Sequence, residues 1–194
     1  MKKRKSLKIV LSIIVVLIVS TMIFQGVVYR KLVTYDSVGT RVSYKITNQK
    51  IIQLIEEKTT YLKEPTIEEI VQLSVSITCQ QLYFTDGKSD TNPNLLFQSK
   101  AANCVGYATF CAAICNHLIH KYALDNEWTA KIQIGHLFLA GNNIHQFFES
   151  SFFKDHDFVT IENRISKEIL AVDPTLDDYF YINSVTLIAQ GDRP

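Results

Sequence analysis

The sequence predicts an α+β domain, in which helices pack on an antiparallel sheet, preceded by one N-terminal transmembrane helix. Three observations support this prediction: an uncharged apolar run at residues 9–28, helical patterns between residues 47 and 122, and strand patterns between residues 128 and 173. Helices that precede the strands, instead of alternating with them, favour an antiparallel sheet and hence the α+β class. The length of 194 residues suits one domain of ordinary size.

Residues 9–28 have the length and composition of a membrane-spanning helix. They contain twenty residues without a charge, which at about 1.5 Å per residue cover roughly the 30 Å of a hydrocarbon core. Five Lys and Arg residues lie in the preceding tail, residues 1–8, so we expect the tail to stay in the cytoplasm and the rest of the chain to lie outside it. A cleaved signal peptide is the alternative, although an Ala-x-Ala-like cleavage site is missing.

The charge pattern gives no reason to expect a nucleic-acid partner. The chain has 20 basic and 19 acidic residues, a net charge of +1. Without the five basic residues of the tail, 15 basic residues stand against 19 acidic ones, so the remainder carries about −4. A surface that binds the phosphate backbone carries the opposite sign.

We divide the part after the membrane run into a stalk, residues 29–46, and one domain, residues 47–194. The domain opens with two helical patterns. Asn48 is a candidate N-cap for the first, and Thr66 and Glu69 stand in capping-box spacing at the start of the second.

A third helix is predicted from Cys104 to about Tyr122. Apolar residues cover most of its circumference, so it should be buried on more than one side. Residues 128–135 alternate in the manner of a strand. Residues 157–162 and 168–173 flank a five-residue turn and predict a β-hairpin.

Cys104 is a candidate nucleophile because it stands at the predicted N-terminus of a helix. Unpaired backbone N–H groups and the positive end of the helix dipole stabilise a thiolate at such a position. The same N–H groups can hold an oxyanion that develops on an attacked carbonyl. A thiol nucleophile also needs an imidazole, and the imidazole needs an acceptor that fixes its tautomer.

The predicted hairpin supplies both of these groups. His156 immediately precedes its first strand, and Asp173 ends its second strand, directly before Pro174. In an antiparallel hairpin the start of one strand lies beside the end of the other. We therefore expect the His156 and Asp173 side chains to be neighbours.

The segments around these three residues are NCVGYATF, HDFVTIE and ILAVDPTLDDY. Together they resemble the transglutaminase-like domain, a branch of the papain-like cysteine-enzyme superfamily. The resemblance covers about residues 66–180 and implies a papain-like core. It also implies Cys104 as nucleophile, His156 as base and acid, and Asp173 as the residue that orients His156. No organic cofactor is required.

The chain departs from the family pattern around His156. Phe158 stands where the family usually has Trp, and residues 136–155 are inserted between the strand that ends at Gly135 and His156. The role of this insert stays open. Its part at 141–153 carries four phenylalanines, so we expect it to form an excursion beside the site.

Gln98 and Asn103 are candidate oxyanion-hole donors. Gln98 lies six residues before Cys104, a spacing that resembles the oxyanion-hole glutamine of papain-type enzymes. A solvated loop glutamine is the alternative. Asn103 directly precedes Cys104, and its short side chain could equally cap the helix.

These residues predict acyl transfer on peptide-like amide bonds. Attack of Cys104 on an amide carbonyl releases an amine, and water or a second amine then resolves the thioester. Water gives a peptidase or amidase and an amine gives cross-linking; we favour hydrolysis of a protein or peptide substrate because the site lies in a wet compartment. The alternative is a non-catalytic binding or assembly domain at the cell envelope, against which the intact Cys, His and Asp argue.

A metal site is a weaker alternative for the remaining titratable residues. Its candidate ligands are His136, His145, His156 and either Asp155 or Asp157. Their spacings match no compact ligand motif, so we predict no metal.

The other cysteines are expected to be structural. Cys111 and Cys115 follow Cys104 near one stripe of the same helix and suit small core positions. A disulfide from Cys79 to one of them stays open for a domain outside the cytoplasm.

Overall fold

The computed structural model describes residues 24–147 and 155–188, together with Ile14, Val16, Val19 and Ser20. The predicted tail at 1–8 and most of the predicted membrane run at 9–28 lie outside the described residues, and so do residues 148–153 of the expected excursion. Among the helices that these residues form, none has both the length and the apolar character needed to span a membrane.

The fold is α+β, as the order of the sequence patterns predicts. The helices are α1 (24–32), α2 (Gln49–Thr59), α3 (Ile67–Gln81), α4 (Pro93–Ser99), α5 (Cys104–Lys121) and α6 (Pro174–Phe180), with a 3-10 turn at His145–Phe147. The strands are β1 (Val33–Thr40), β2 (Tyr83–Phe84), β3 (Ala101–Ala102), β4 (Trp128–Leu139), β5 (Asn142–Asn143), β6 (His156–Asn163), β7 (Ile169–Val172) and β8 (Thr186–Leu187).

The main sheet has the strand order β7-β6-β4-β1-β8, and β5 adds to β4. Strands β1, β4, β5, β6 and β7 pair antiparallel, as predicted, while β8 pairs with β1 in parallel. Two short strands, β2 and β3, form a separate parallel pair just before α5.

Helix α5 is the central helix of the fold. Most of its residues are buried, and it packs against α3 and against strands β4 and β6. The Thr66–Glu69 capping box predicted for the start of α3 is present. The main core lies between these helices and the sheet, and a smaller core on Tyr35, Leu137 and Phe158 lies beneath the C-terminal segment.

Residues 33–40, which the sequence places in the stalk, belong instead to the sheet as β1. This strand lies between β4 and β8 and buries Tyr35. The sequence of β1, VTYDSVGT, gives only a weak strand signal, because polar residues interrupt the apolar ones and Tyr35 is the one buried residue of the strand. The strand also contains a register shift between Ser37 and Gly39, which further breaks the alternation.

Gly135 allows the strand that carries His156 to pass close to β4. A Cβ at this position would lie 2.6 Å from Phe158 Cε1 and 3.0 Å from the His156 carbonyl oxygen. Both distances are shorter than normal carbon contacts, so any larger residue must displace the Phe158 ring or the start of β6.

We expect Gly135→Ala to lower the free energy of unfolding by about 1–3 kcal/mol, the usual cost of overpacking a core. Gly39→Ala is the matched control in the neighbouring strand, since a Cβ there meets nothing closer than Ile134 Cδ1 at 3.5 Å. The control should stay within about 0.5 kcal/mol of the wild type. Denaturant unfolding followed by the fluorescence of Trp128, the single tryptophan, measures both. Equal stability of the two variants would show that the close approach is not a constraint.

Candidate active site

The structure brings Cys104, His156 and Asp173 together from three elements. Cys104 is the first residue of α5, His156 is the first residue of β6, and Asp173 follows the last residue of β7. The hairpin register places Val159 opposite Val172, so the start of β6 lies beside the end of β7. His156 Nε2 hydrogen-bonds Asp173 Oδ2, as the hairpin argument predicts.

His156 also contacts Cys104. The Cys104 side chain is among the groups close enough to raise the pKa of His156. Because Asp173 engages Nε2, the nitrogen that serves the thiol is Nδ1. The imidazole thus bridges the sulfur at the helix N-terminus and the carboxylate at the end of the hairpin.

The surroundings of His156 favour its protonated form. Burial by itself lowers the pKa of this histidine, which is only 1% exposed. The charge and hydrogen bond of Asp173, together with Cys104, outweigh the burial and raise the pKa from 6.5 to about 10. An imidazolium beside a sulfur atom is the partner that stabilises a thiolate.

Asp173 is fully buried, and its two carboxylate oxygens have hydrogen-bond partners on several elements. Its Oδ1 accepts from the backbone N–H groups of Thr175 at 3.0 Å and Leu176 at 3.2 Å. It is therefore the N-cap of α6, and Pro174 occupies the first turn, where a missing N–H has no effect. This capping explains locally why the sequence Asp-Pro-Thr ends the strand.

Tyr35 is a site residue that the sequence did not reveal. Its hydroxyl donates to Asp173 Oδ2 at 2.9 Å, and the Tyr29 hydroxyl lies 2.7 Å from that of Tyr35. Burial, followed by the charge of Asp173, raises the pKa of Tyr35, so the phenol stays neutral and remains a donor. The edge of its ring also meets Phe158, at 5.1 Å between ring centroids.

Arg41 and Asp157 form a second pair at the start of β6. Arg41 binds both carboxylate oxygens of Asp157, through Nε to Oδ2 and through Nη2 to Oδ1 at 2.9 Å. Asp157 is fully buried, and the Arg41 guanidinium is close enough to Cys104 for the two to interact electrostatically. No spacing in the sequence links residue 41 with residue 157, because only the sheet brings them together.

The two oxyanion candidates differ in their placement. Asn103 is the N-cap of α5, and its Oδ1 accepts from the Gly106 N–H at 3.2 Å, so the capping alternative is confirmed. Gln98 is exposed on α4. Its role at an oxyanion stays a prediction.

The other cysteines are structural in the fold. All four cysteines are free thiols, and Cys111 and Cys115 are buried inside α5. Burial raises the pKa of Cys115 to about 12 and also raises that of Cys111. Cys79 donates to the Pro174 carbonyl oxygen at 3.4 Å, and burial raises its pKa as well.

An apolar cavity of about 360 Å³ lies directly beside His156. Tyr29, Tyr35, Leu137 and Leu176 contribute to its lining. A larger cleft of about 910 Å³ lies along β6 and β7 and contains none of the three central residues. The cavity beside His156 has an apolar lining that suits an apolar ligand group, and Cys104 is not among its lining residues.

No protein-family model matches the chain, and no curated protein matches it either. Assignment of a function therefore depends on the geometry of the site.

Tyr35→Phe tests the support of the buried carboxylate. We expect it to lower the free energy of unfolding by about 1–3 kcal/mol, because Asp173 loses a hydrogen bond to a charged group. Tyr61→Phe is the matched control, since Tyr61 is 71% exposed. Denaturant unfolding of both variants measures the difference, and equal stability would contradict a role for the Tyr35 hydroxyl.

Proposed function

We propose that the protein is a cysteine enzyme with a transglutaminase-like, papain-related core, which acts on peptide-like amide bonds by acyl transfer. The observation that carries the proposal is the placement of the His156 side chain, which is hydrogen-bonded to the Asp173 carboxylate and lies close enough to Cys104 for the two to interact. The positions of these residues also agree with the resemblance: a cysteine opens a buried helix, a histidine starts a strand, and Asp-Pro-Thr follows the next strand.

The proposed reaction has two steps with one covalent intermediate. In the first, the Cys104 thiolate attacks the amide carbonyl carbon, and a carbon–sulfur bond forms. The carbon–nitrogen bond then breaks, and the His156 imidazolium donates its proton to the leaving amine. In the second, water attacks the thioester, His156 takes the water proton, and the acid product leaves Cys104 regenerated.

The N-terminus of α5 is the part of the site suited to hold the oxyanion. The first backbone N–H groups of a helix have no partner within the helix. Cys104 is the first residue of α5, so its sulfur lies near such groups, which can donate to an oxyanion. The Asn103 side-chain oxygen already engages the Gly106 N–H, so the donors nearest the sulfur are those that precede Gly106.

Hydrolysis is the favoured outcome, which makes the enzyme a peptidase or amidase. The resolving nucleophile on this proposal is water from a compartment outside the cytoplasm. Cross-linking needs a second amine to reach the thioester before water does. Cys104, His156 and Asp173 can perform either reaction. The ratio of hydrolysis to cross-linking therefore depends on whether water or an amine reaches the thioester first.

Acylation with p-nitrophenyl acetate tests the proposal without knowledge of the natural substrate. We expect one acetyl group per chain, carried by Cys104, with release of p-nitrophenolate. Cys104→Ser should abolish this acylation. His156→Gln should slow turnover by about 10²–10⁴-fold, as expected for loss of a general acid and base.

Matched controls are Cys111→Ser and Cys115→Ser, which alter buried thiols of the same helix. They should leave the acylation rate unchanged. A primary amine added during turnover shows the partition: acetyl amide formed in excess of the uncatalysed aminolysis, which is measured with Cys104→Ser, reports competition of the amine with water. Acetylation spread over all cysteines, or a rate that is independent of His156, would refute the catalytic proposal and favour a binding domain.

We also propose that residues 9–28 anchor the enzyme in a membrane, with residues 1–8 in the cytoplasm and the active site outside it. The apolar run and the five preceding positive charges support this orientation. Helix α1, which overlaps the last residues of the run, contacts the domain: Gln25 Nε2 donates to the Phe180 carbonyl oxygen at 2.6 Å, and Arg30 Nη1 donates to Ser184 Oγ at 3.3 Å. The cavity beside His156 would then face the membrane surface, since Tyr29 of α1 lines it.

Membrane fractionation of the full chain tests the anchor. We expect the protein to stay with membranes after high-salt washing and to be extracted by detergent. Protease added to intact cells or spheroplasts should digest the domain. A mature protein in the soluble fraction, with its N-terminus after about residue 25, would identify a cleaved signal peptide instead.

A further inference from the structure

Three metal-ligating side chains converge outside the Cys104 site. They are His136, His145 and Asp155, and each offers one ligand atom that lies within 4.8 Å of the other two. His136 Nε2 is 3.7 Å and His145 Nδ1 is 3.9 Å from Asp155 Oδ1. The two imidazole rings lie face to face with a tilt, 4.1 Å between centroids.

We propose that these three residues bind a divalent transition-metal ion, with Zn²⁺ as the first candidate. Two imidazoles and one carboxylate form a donor set typical of three-ligand zinc sites, in which water takes the next position. Tetrahedral bonds of about 2.0–2.2 Å separate ligand atoms by roughly 3.4 Å. The two histidine–aspartate separations, 3.7 and 3.9 Å, are close to this value, and all three ligand atoms lie within 4.8 Å of one another, so side-chain rotations can bring them onto one ion.

The fold, and not a local motif, creates this cluster. Strand β4 carries His136, and the 3-10 turn after β5 begins at His145. Asp155 directly precedes β6, and the pairing of Gly135 with His156 places it beside His136. Because three chain segments contribute, the sequence spacings match no compact ligand motif, and this proposal departs from the prediction of no metal.

The charges around the cluster suit a cation. Asp36 lies directly opposite His136 in the register of β1 and β4, so its carboxylate is on the same face of the sheet. Within the described part of the chain, Arg41 interacts electrostatically with Asp155, and Asp157 binds Arg41 through both oxygens. The pair therefore adds little net positive charge near the cluster.

Another histidine–aspartate pair shows what distinguishes this cluster. His120 Nδ1 lies 3.7 Å from Asp125 Oδ2, the same separation as His136 from Asp155. That pair is strongly exposed, with side-chain exposures of 83% and 52%. The cluster at Asp155 adds a second imidazole, and its two histidines are largely covered, with exposures of 25% and 28%.

The direct test is Zn²⁺ titration of the full-length, detergent-solubilised and metal-stripped protein against a chromogenic chelator. We expect one ion per chain. His136→Ala, His145→Ala and Asp155→Asn should each weaken binding by at least about 100-fold, the upper end of the loss when an outer-shell partner is removed. His120→Ala is the matched control and should bind as the wild type does. Cys104→Ser should also bind normally, which separates this site from the thiol.

The Co²⁺ spectrum of the wild-type protein gives a second measurement that needs no variant to fold. We expect visible d–d bands of low-coordinate cobalt without a thiolate-to-cobalt charge-transfer band, because the ligands are nitrogen and oxygen. Ca²⁺ and Mg²⁺ should not displace the ion, since they prefer all-oxygen sites.

Three outcomes would overturn the proposal: no saturable Zn²⁺ binding, binding that survives in folded His136→Ala and His145→Ala proteins, or a charge-transfer band that disappears in Cys104→Ser. The last outcome would place the metal at the catalytic thiol. None of these three outcomes depends on acyl transfer, so the metal proposal and the enzymatic proposal can be refuted independently of each other.

Discussion

The buried carboxylate of Asp173 is the interaction on which the rest of the site depends. A carboxylate with no exposed surface is strongly unfavourable unless its charge is compensated. Four donors compensate it: two backbone N–H groups at the start of α6, the Tyr35 hydroxyl and His156. The carboxylate thereby joins β1, β6 and α6 at the end of β7, and removal of one donor leaves a charge that water cannot reach.

The orientation of His156 follows from this compensation. With Nε2 bound to Asp173, the imidazole ring is held in one orientation, and Nδ1 remains as the ring nitrogen that can serve Cys104. Asp173 does not need to take up the proton; it holds the ring in one orientation and stabilises the imidazolium. Gly135 completes the arrangement, because its missing side chain lets Phe158 and the start of β6 approach β4.

The sequence predicted those parts of the site whose signals are local. The start of α5 at Cys104 follows from a capping residue before an apolar run, and the meeting of His156 with Asp173 follows from a hairpin with a short turn. Tyr35 and Arg41 could not be predicted in this way. Both contact residues more than 100 positions away, because β1 pairs in the sheet with β4 and β8, and its polar sequence gives little strand signal. The convergence of His136, His145 and Asp155 likewise depends on strand register, which spacing alone does not encode.

Selective alkylation of the native protein is the most direct test that Cys104 is an activated nucleophile. With limiting iodoacetamide and peptide mapping, Cys104 should be labelled first, while Cys111 and Cys115 stay unlabelled until the protein unfolds. His156→Ala should slow the labelling of Cys104 by about tenfold or more, because the thiolate loses its imidazolium partner. Asp173→Asn should slow it less, because it disturbs the orientation of His156 without removing the ring. Equal labelling of all four cysteines, and only after unfolding, would contradict the account and make Cys104 a buried structural residue.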